Sequence, residues 1–137
     1  MKTYVLDACA IMAVLYGEEG AGIVETAFDE AYEGGARIIM HKANLLEVYY
    51  DILRKFGRDK SDTIISEIRK RPVEINSEIS DEIFIEAGRL KSLYKISFAD
   101  SFALAQAKIC GGALLTCDHH EFDAIEEKED INFVWIR

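Results

Sequence analysis

Five short runs of β-forming apolar residues recur along the chain, with helical patterns between them. The runs are Thr3–Leu6, Arg37–Met40, Val73–Ile75, Ala113–Thr116 and Phe133–Ile136. Strands that are apolar almost continuously, rather than at every second position, are covered on both faces. Strands that alternate with helices are joined by crossovers and lie parallel. The helical stripes fit this plan. Ile23, Val24, Ala27, Phe28 and Ala31 recur at helical spacing before Gly34-Gly35. Leu45, Val48, Tyr49, Ile52 and Phe56 form a second stripe that closes at Gly57, with Asn44 opening it. Ile64, Ile65 and Ile68 follow, then Ile83, Ala87, Leu90 and Tyr94. Ser97 caps a helix over Phe98–Cys110, which Gly111-Gly112 ends. Residues 118–128 read as a loop or a short helix. Pro72 sets the third run near a sheet edge. The expectation is an α/β domain of three layers, α/β/α, around a mostly parallel five-stranded sheet.

A chain of 137 residues with no linker or repeat is one domain, spanning 1–137. Half of it is apolar, which excludes a disordered acidic tail. The net charge of −9 excludes a broadly basic glove for nucleic acid and directs attention to clustered carboxylates. Three cysteines without a CxxC pair, Cys9, Cys110 and Cys117, argue for a reducing compartment. The first residues lack the apolar run of a signal peptide, and no run of about 18 apolar residues occurs. The expected location is the cytoplasm, with no membrane partner.

Open parallel sheets bind ligands beyond the carboxyl ends of their strands. Asp7 directly follows the first run, and Asp118 comes two residues after the fourth. Glu47 and Asp100 fall in first turns of helices, where anions are well tolerated. Each position also has an ordinary explanation. Asn44-x-x-Glu47 and Ser97-x-x-Asp100 both fit a capping box, and Asp7 and Asp118 fit turns. Four such acids at strand and helix ends are better explained by one shared site. Hard divalent cations such as Mg²⁺ and Mn²⁺ are held by a few carboxylates and waters.

At these residues the chain resembles PIN-domain ribonucleases of the VapC toxin type. The resemblance rests on Val5-Leu6-Asp7-Ala8-Cys9-Ala10, Asn44-Leu45-Leu46-Glu47-Val48, the segment Ile96–Ala105, and Leu114-Leu115-Thr116-Cys117-Asp118-His119-His120-Glu121-Phe122. It implies an endoribonuclease that uses Mg²⁺ or Mn²⁺ to activate water on RNA. Asp7, Glu47, Asp100 and Asp118 match the family's acidic quartet, Thr116 its Ser/Thr, and Glu121 is a further metal candidate. Cys9 stands where many members carry Ser or Thr. The resemblance also implies an antitoxin partner that blocks the site, and a homodimer.

Residues 54–71 carry a local charge of +4. Arg54, Lys55, Arg69, Lys70 and Arg71 are therefore candidates to clamp an RNA backbone. A solvated pair of helix ends explains them equally well. The acidic run Glu121–Asp130 reads as a solvated face. Cys110, Cys117, His119 and His120 lack the spacing of a zinc site. Cys110 reads as a buried thiol, His119 and His120 as exposed, and His41 has no assigned role. Three rival functions stand beside the toxin reading. A PIN-fold nuclease that processes RNA outside a toxin–antitoxin pair shares the chemistry, and a catalytically silent PIN-like module would have lost acids. A phospho-accepting receiver domain wants paired acids after its first strand, an Asp after its third and a Lys after its last. Here Asp7 stands alone, Asn76 follows the third run and Arg137 ends the chain.

Overall fold

The computed structural model describes all residues, 1–137. In chain order the elements are β1 (Lys2–Leu6), α1 (Ala8–Tyr16), α2 (Ala21–Tyr32), β2 (Ala36–His41), α3 (Lys42–Phe56) and α4 (Arg58–Arg69). They continue with β3 (Glu74–Asn76), α5 (Asp81–Leu93), α6 (Phe98–Cys110), β4 (Ala113–Thr116), α7 (His119–Lys128) and β5 (Asn132–Trp135). All four strand pairings are parallel, in the order β3-β2-β1-β4-β5. Receiver domains use the order 2-1-3-4-5, so the topology removes that rival.

The sheet is covered on both faces, because neighbouring strand residues point to opposite sides. Leu6 and Leu115 join a core cluster with Ile11, Phe28, Ile52 and Ile68, from α1–α4. Val5 and Leu114 join a second cluster with Leu90, Leu104, Phe122 and Ile125, from α5–α7. Leu104 is fully buried, and its truncation to Ala should cost about 3 kcal/mol. The stripe residues Leu45, Val48 and Ile52 are core, while Phe56 is exposed. Two glycines place β4 after α6. Gly111 ends the helix in the left-handed region, at φ 66°, with its N–H on the carbonyls of Ala107 and Lys108. Gly112 brings the chain against β1, where a Cβ would stand 2.9 Å from the carbonyl oxygen of Thr3.

Winding reverses between β1 and β4. The crossovers from β1 to β2 to β3 use the α1–α4 face, and those from β3 to β4 to β5 use the other. That reversal opens a crevice at the carboxyl ends of β1 and β4, where Asp7 and Asp118 lie. Of the two alternatives for residues 118–128, the short helix forms, as α7 over His119–Lys128. One local expectation fails: α3 opens with His41 rather than Asn44 at its N-cap, and His41 Nδ1 accepts from the Ala43 N–H at 3.0 Å. The capping box expected at Asn44-x-x-Glu47 therefore does not form.

Candidate metal centre at the sheet switch point

Asp7 is the most buried of the acids and serves as N-cap of α1, its Oδ1 accepting from the Ala10 N–H at 3.0 Å. Its Oδ2 accepts a short hydrogen bond from the buried Thr116 hydroxyl. Thr116 Oγ1 in turn accepts from the Asp118 N–H at 3.2 Å. One hydroxyl thus ties the ends of β1 and β4 together and fixes Asp7 relative to the Asp118 backbone. Asp118 is N-cap of α7, and its Oδ1 accepts from the Glu121 N–H at 3.3 Å. Asp100 and Ser97 form the reciprocal capping box, at 3.1 and 3.3 Å. The capping reading therefore holds for Asp100, and the cap sets the direction of its carboxylate.

The charges of Asp100 and Asp118 act on both Asp7 and Glu47, and those of Asp118 and Glu121 act on Asp100. Burial pushes the Asp7 carboxyl up to about 7, with the charges of Asp100 and Asp118 adding to the rise. Burial also raises Glu47, again with Asp100 and Asp118 contributing, and Asp51 behind them. Asp100 is raised by burial and by the charges of Asp118 and Glu121. No basic side chain acts on any of the three. Carboxylates gathered out of water without a counter-charge are costly, so this arrangement calls for a cation. The donors are all hard oxygens, which suit Mg²⁺ or Mn²⁺. No three His, Cys, Asp or Glu side chains close into a ready-made cage.

Cys9 and Cys117 form a disulfide with a Cα separation of 6.2 Å, and Cys110 is the single free cysteine. Spacing along the chain does not reveal this pairing. Spacing tests find local pairs, whereas these two are 108 residues apart and meet because β1 and β4 are neighbours. A link closing so long a loop restrains the unfolded chain by about 5 kcal/mol. It joins the segments that carry Asp7 and Asp118. Cys110 is partly buried, and its thiol points at the Ala107 carbonyl at 3.8 Å.

The basic candidates lie outside this crevice and are mostly neutralised. Arg54 and Lys55 pair with Asp51, Lys70 with Glu67, and Arg71 with Glu25. Arg69 makes no ion pair, and with Lys42 it lines a groove between α3 and α4 that also holds Leu45, Leu46, Tyr49 and Ile65. His119 is exposed, stacks on Trp135, and bonds Asp123 and the Arg137 carbonyl. His120 is exposed. His41 is structural: its Nε2 donates to the Glu78 carbonyl at 2.9 Å, and its ring stacks on Phe102. The acidic run is not wholly solvated. The half-buried Glu129 joins an ion cluster with Arg89, and Glu126 accepts from the Trp135 indole N–H. Asn44, the expected helix opener, is fully buried within α3 with both side-chain polar atoms unpartnered.

A family model described as the PIN domain matches residues 4–128. The chain belongs to the PIN domain family. No curated protein matches its sequence. Solved structures share its fold at low identity. A DNA-bound VapBC from Salmonella typhimurium is 15% identical, with both chains covered in full and a TM-score of 0.75. A VapBC from Rickettsia felis bound to a promoter DNA fragment is 14% identical, covering 97% of this chain and 98% of its own, with a TM-score of 0.74. A sarcin–ricin-loop-cleaving VapC toxin from Mycobacterium tuberculosis is 14% identical, covering 81% and 86%, with a TM-score of 0.62. No helix of this PIN domain is long and apolar enough to cross a membrane.

Proposed function

We propose that this PIN domain is a divalent-metal-dependent endoribonuclease, the toxin of a toxin–antitoxin pair. The observation that carries the proposal is the group of mutually repelling carboxylates at the switch point, with no basic side chain among them. Asp7, Asp100 and Asp118 would hold Mg²⁺ or Mn²⁺, with Glu47 and Glu121 flanking. Such a cation lowers the pKa of a bound water and shields the phosphate under attack. Thr116 holds the Asp7 carboxylate by its hydroxyl and Asp118 by its backbone. Ser97 aims Asp100 from the α6 N-terminus. Glu47, raised above the ordinary carboxylate range, is suited to take or orient a proton beside the phosphate. No residue here is arranged as a covalent nucleophile.

Of the basic candidates, Arg69 is the one free to meet a phosphate. Arg54, Lys55, Lys70 and Arg71 would first have to leave their acidic partners. The fold shared with VapBC complexes supports an antitoxin partner. The homodimer is best assigned to the α5–α6 face, where Phe84 and Phe98 are 70% and 69% exposed beside Ile79. Retention of all four acids argues against a silent module. The test is incubation with total RNA and Mn²⁺, followed by sequencing of new 5′-phosphate ends. Discrete new ends that vanish with chelator are expected. RNA left intact at every Mn²⁺ concentration would reject the nuclease.

A further inference from the structure

Asn44 is the one buried residue whose side-chain polar atoms both lack a partner. It is fully buried. A carboxamide in that state pays its desolvation and receives nothing in return. A leucine of similar size would pay no such penalty, so the position asks for an explanation.

Its place in the fold supplies one. β1 and β2 pair with Leu6 opposite Met40, so α1 and α3 start side by side at the rim. They stay aligned, because the Tyr16 hydroxyl at the end of α1 donates to Asp51 of α3 at 3.0 Å. Asn44 precedes Asp51 by seven residues, as Cys9 precedes Tyr16. With equal rise per residue in both helices, Asn44 is level with the first turn of α1, directly after Asp7. On α3 itself Glu47 lies one turn on, at i+3, and Glu47 feels the charges of Asp100 and Asp118. On the third side, His41 just before α3 stacks on Phe102, two residues past Asp100, with ring centroids 4.6 Å apart. The first turns of α3, where Asn44 lies, are thus flanked by the segments that carry Asp7 and Asp100, with Glu47 one turn on.

We infer that Asn44 is a positioning residue of the cation site, the neutral member among its acids, whose carboxamide finds its partners only when a hydrated divalent cation enters. Its oxygen accepts from a cation-bound water, and its N–H groups donate to the carboxylates that the cation draws together. An asparagine adds these bonds without adding to the repulsion among the acids. The inference rests on the reading of the acidic rim as a divalent-cation site.

The test needs two variants, Mn²⁺ calorimetry and thermal melting. Asn44→Leu should raise the melting temperature of the metal-free protein by about 3 °C, because it removes an unsatisfied group. The same variant should weaken Mn²⁺ binding at least tenfold. Asn44→Asp keeps the shape and adds charge. It should melt lower without metal, and Mn²⁺ should raise its melting temperature by more than in the wild type. An Asn44→Leu protein that binds Mn²⁺ as the wild type does overturns the inference. So does an Asn44→Asp protein on which Mn²⁺ acts no more strongly than on the wild type, and this second variant decides the matter if the first does not fold. A wild-type protein that binds no Mn²⁺ is a separate result: it removes the cation site itself, and Asn44's role with it.

Discussion

Helix α6 carries a cluster of charged groups near each end. Near its N-terminus Asp100 repels or is repelled by Asp7, Glu47, Asp118 and Glu121, and no basic side chain answers them. Near its C-terminus Lys108 stands with Arg89, Glu86 and Glu129, and every acid is answered. Arg89 bonds both Glu86 and Glu129 at 2.5 Å, Lys108 lies 3.5 and 3.7 Å from them, and the Tyr94 hydroxyl donates to Glu129 at 2.7 Å. The same residue types respond in opposite ways. Asp7 is pushed up to about 7 by burial and like charge, while Arg89 and Tyr94 hold Glu129 down at about 2. The paired cluster fastens α5, α6 and the end of α7 together. The unpaired cluster costs stability, and that cost has an explanation if the site works on a ligand.

The largest expected effect separates the two ends directly. Asp100→Asn keeps the shape and much of the cap but removes a ligand charge. Metal-dependent RNA cleavage should fall by about 10³-fold or more, equivalent to about 4 kcal/mol, while the variant melts no lower than the wild type in chelator. Cleavage within a few-fold of wild type would dissolve the distinction.

The pH dependence of metal-free stability should have two opposed limbs. Asp7 is raised from 3.8 to about 7, so between those values the folded chain holds a proton that the unfolded chain has lost. Stability therefore falls as pH rises through that window, by up to about 4 kcal/mol. Glu129 is lowered from 4.5 to about 2, so its contribution is complete above 4.5 and is lost as pH falls below it. Melting temperature in chelator should peak near pH 4–5, and Mn²⁺ should restore the neutral limb alone. A flat neutral limb would mean that Asp7 is not held in its protonated form.

Arg89→Ala should destabilise the fold by about 2 kcal/mol, because Glu129, only 8% exposed, loses its main partner. Chemical denaturation would measure this, and Mn²⁺ affinity should not change. The smallest effect is expected at Arg69. Arg69→Ala should weaken RNA binding modestly and lower the slope of log K against log salt by about 1. Lys70→Ala, whose charge already pairs with Glu67, should leave that slope in place.

Periodicity exposed the layered fold because each strand run is buried on both faces and each helix on one. Asp7 and Asp118 could be read because they follow strands, and Asp100 because Ser97 caps its helix. Three things could not be read. The Cys9–Cys117 disulfide depends on which strands are neighbours, a fact of topology rather than spacing. The pairing of Glu129 with Arg89 joins residues 40 apart across three helices, so the acidic run looked solvated. Asn44 matched the pattern of an N-cap, but His41 supplies the cap one turn earlier and leaves the carboxamide inside.

Equilibrium titration with Mn²⁺ tests the contrast between the two clusters most directly. Saturable binding is expected in the wild type, loss of that binding in Asp100→Asn, and wild-type affinity in Arg89→Ala. No saturable binding in the wild type, or undiminished binding in Asp100→Asn, would contradict it.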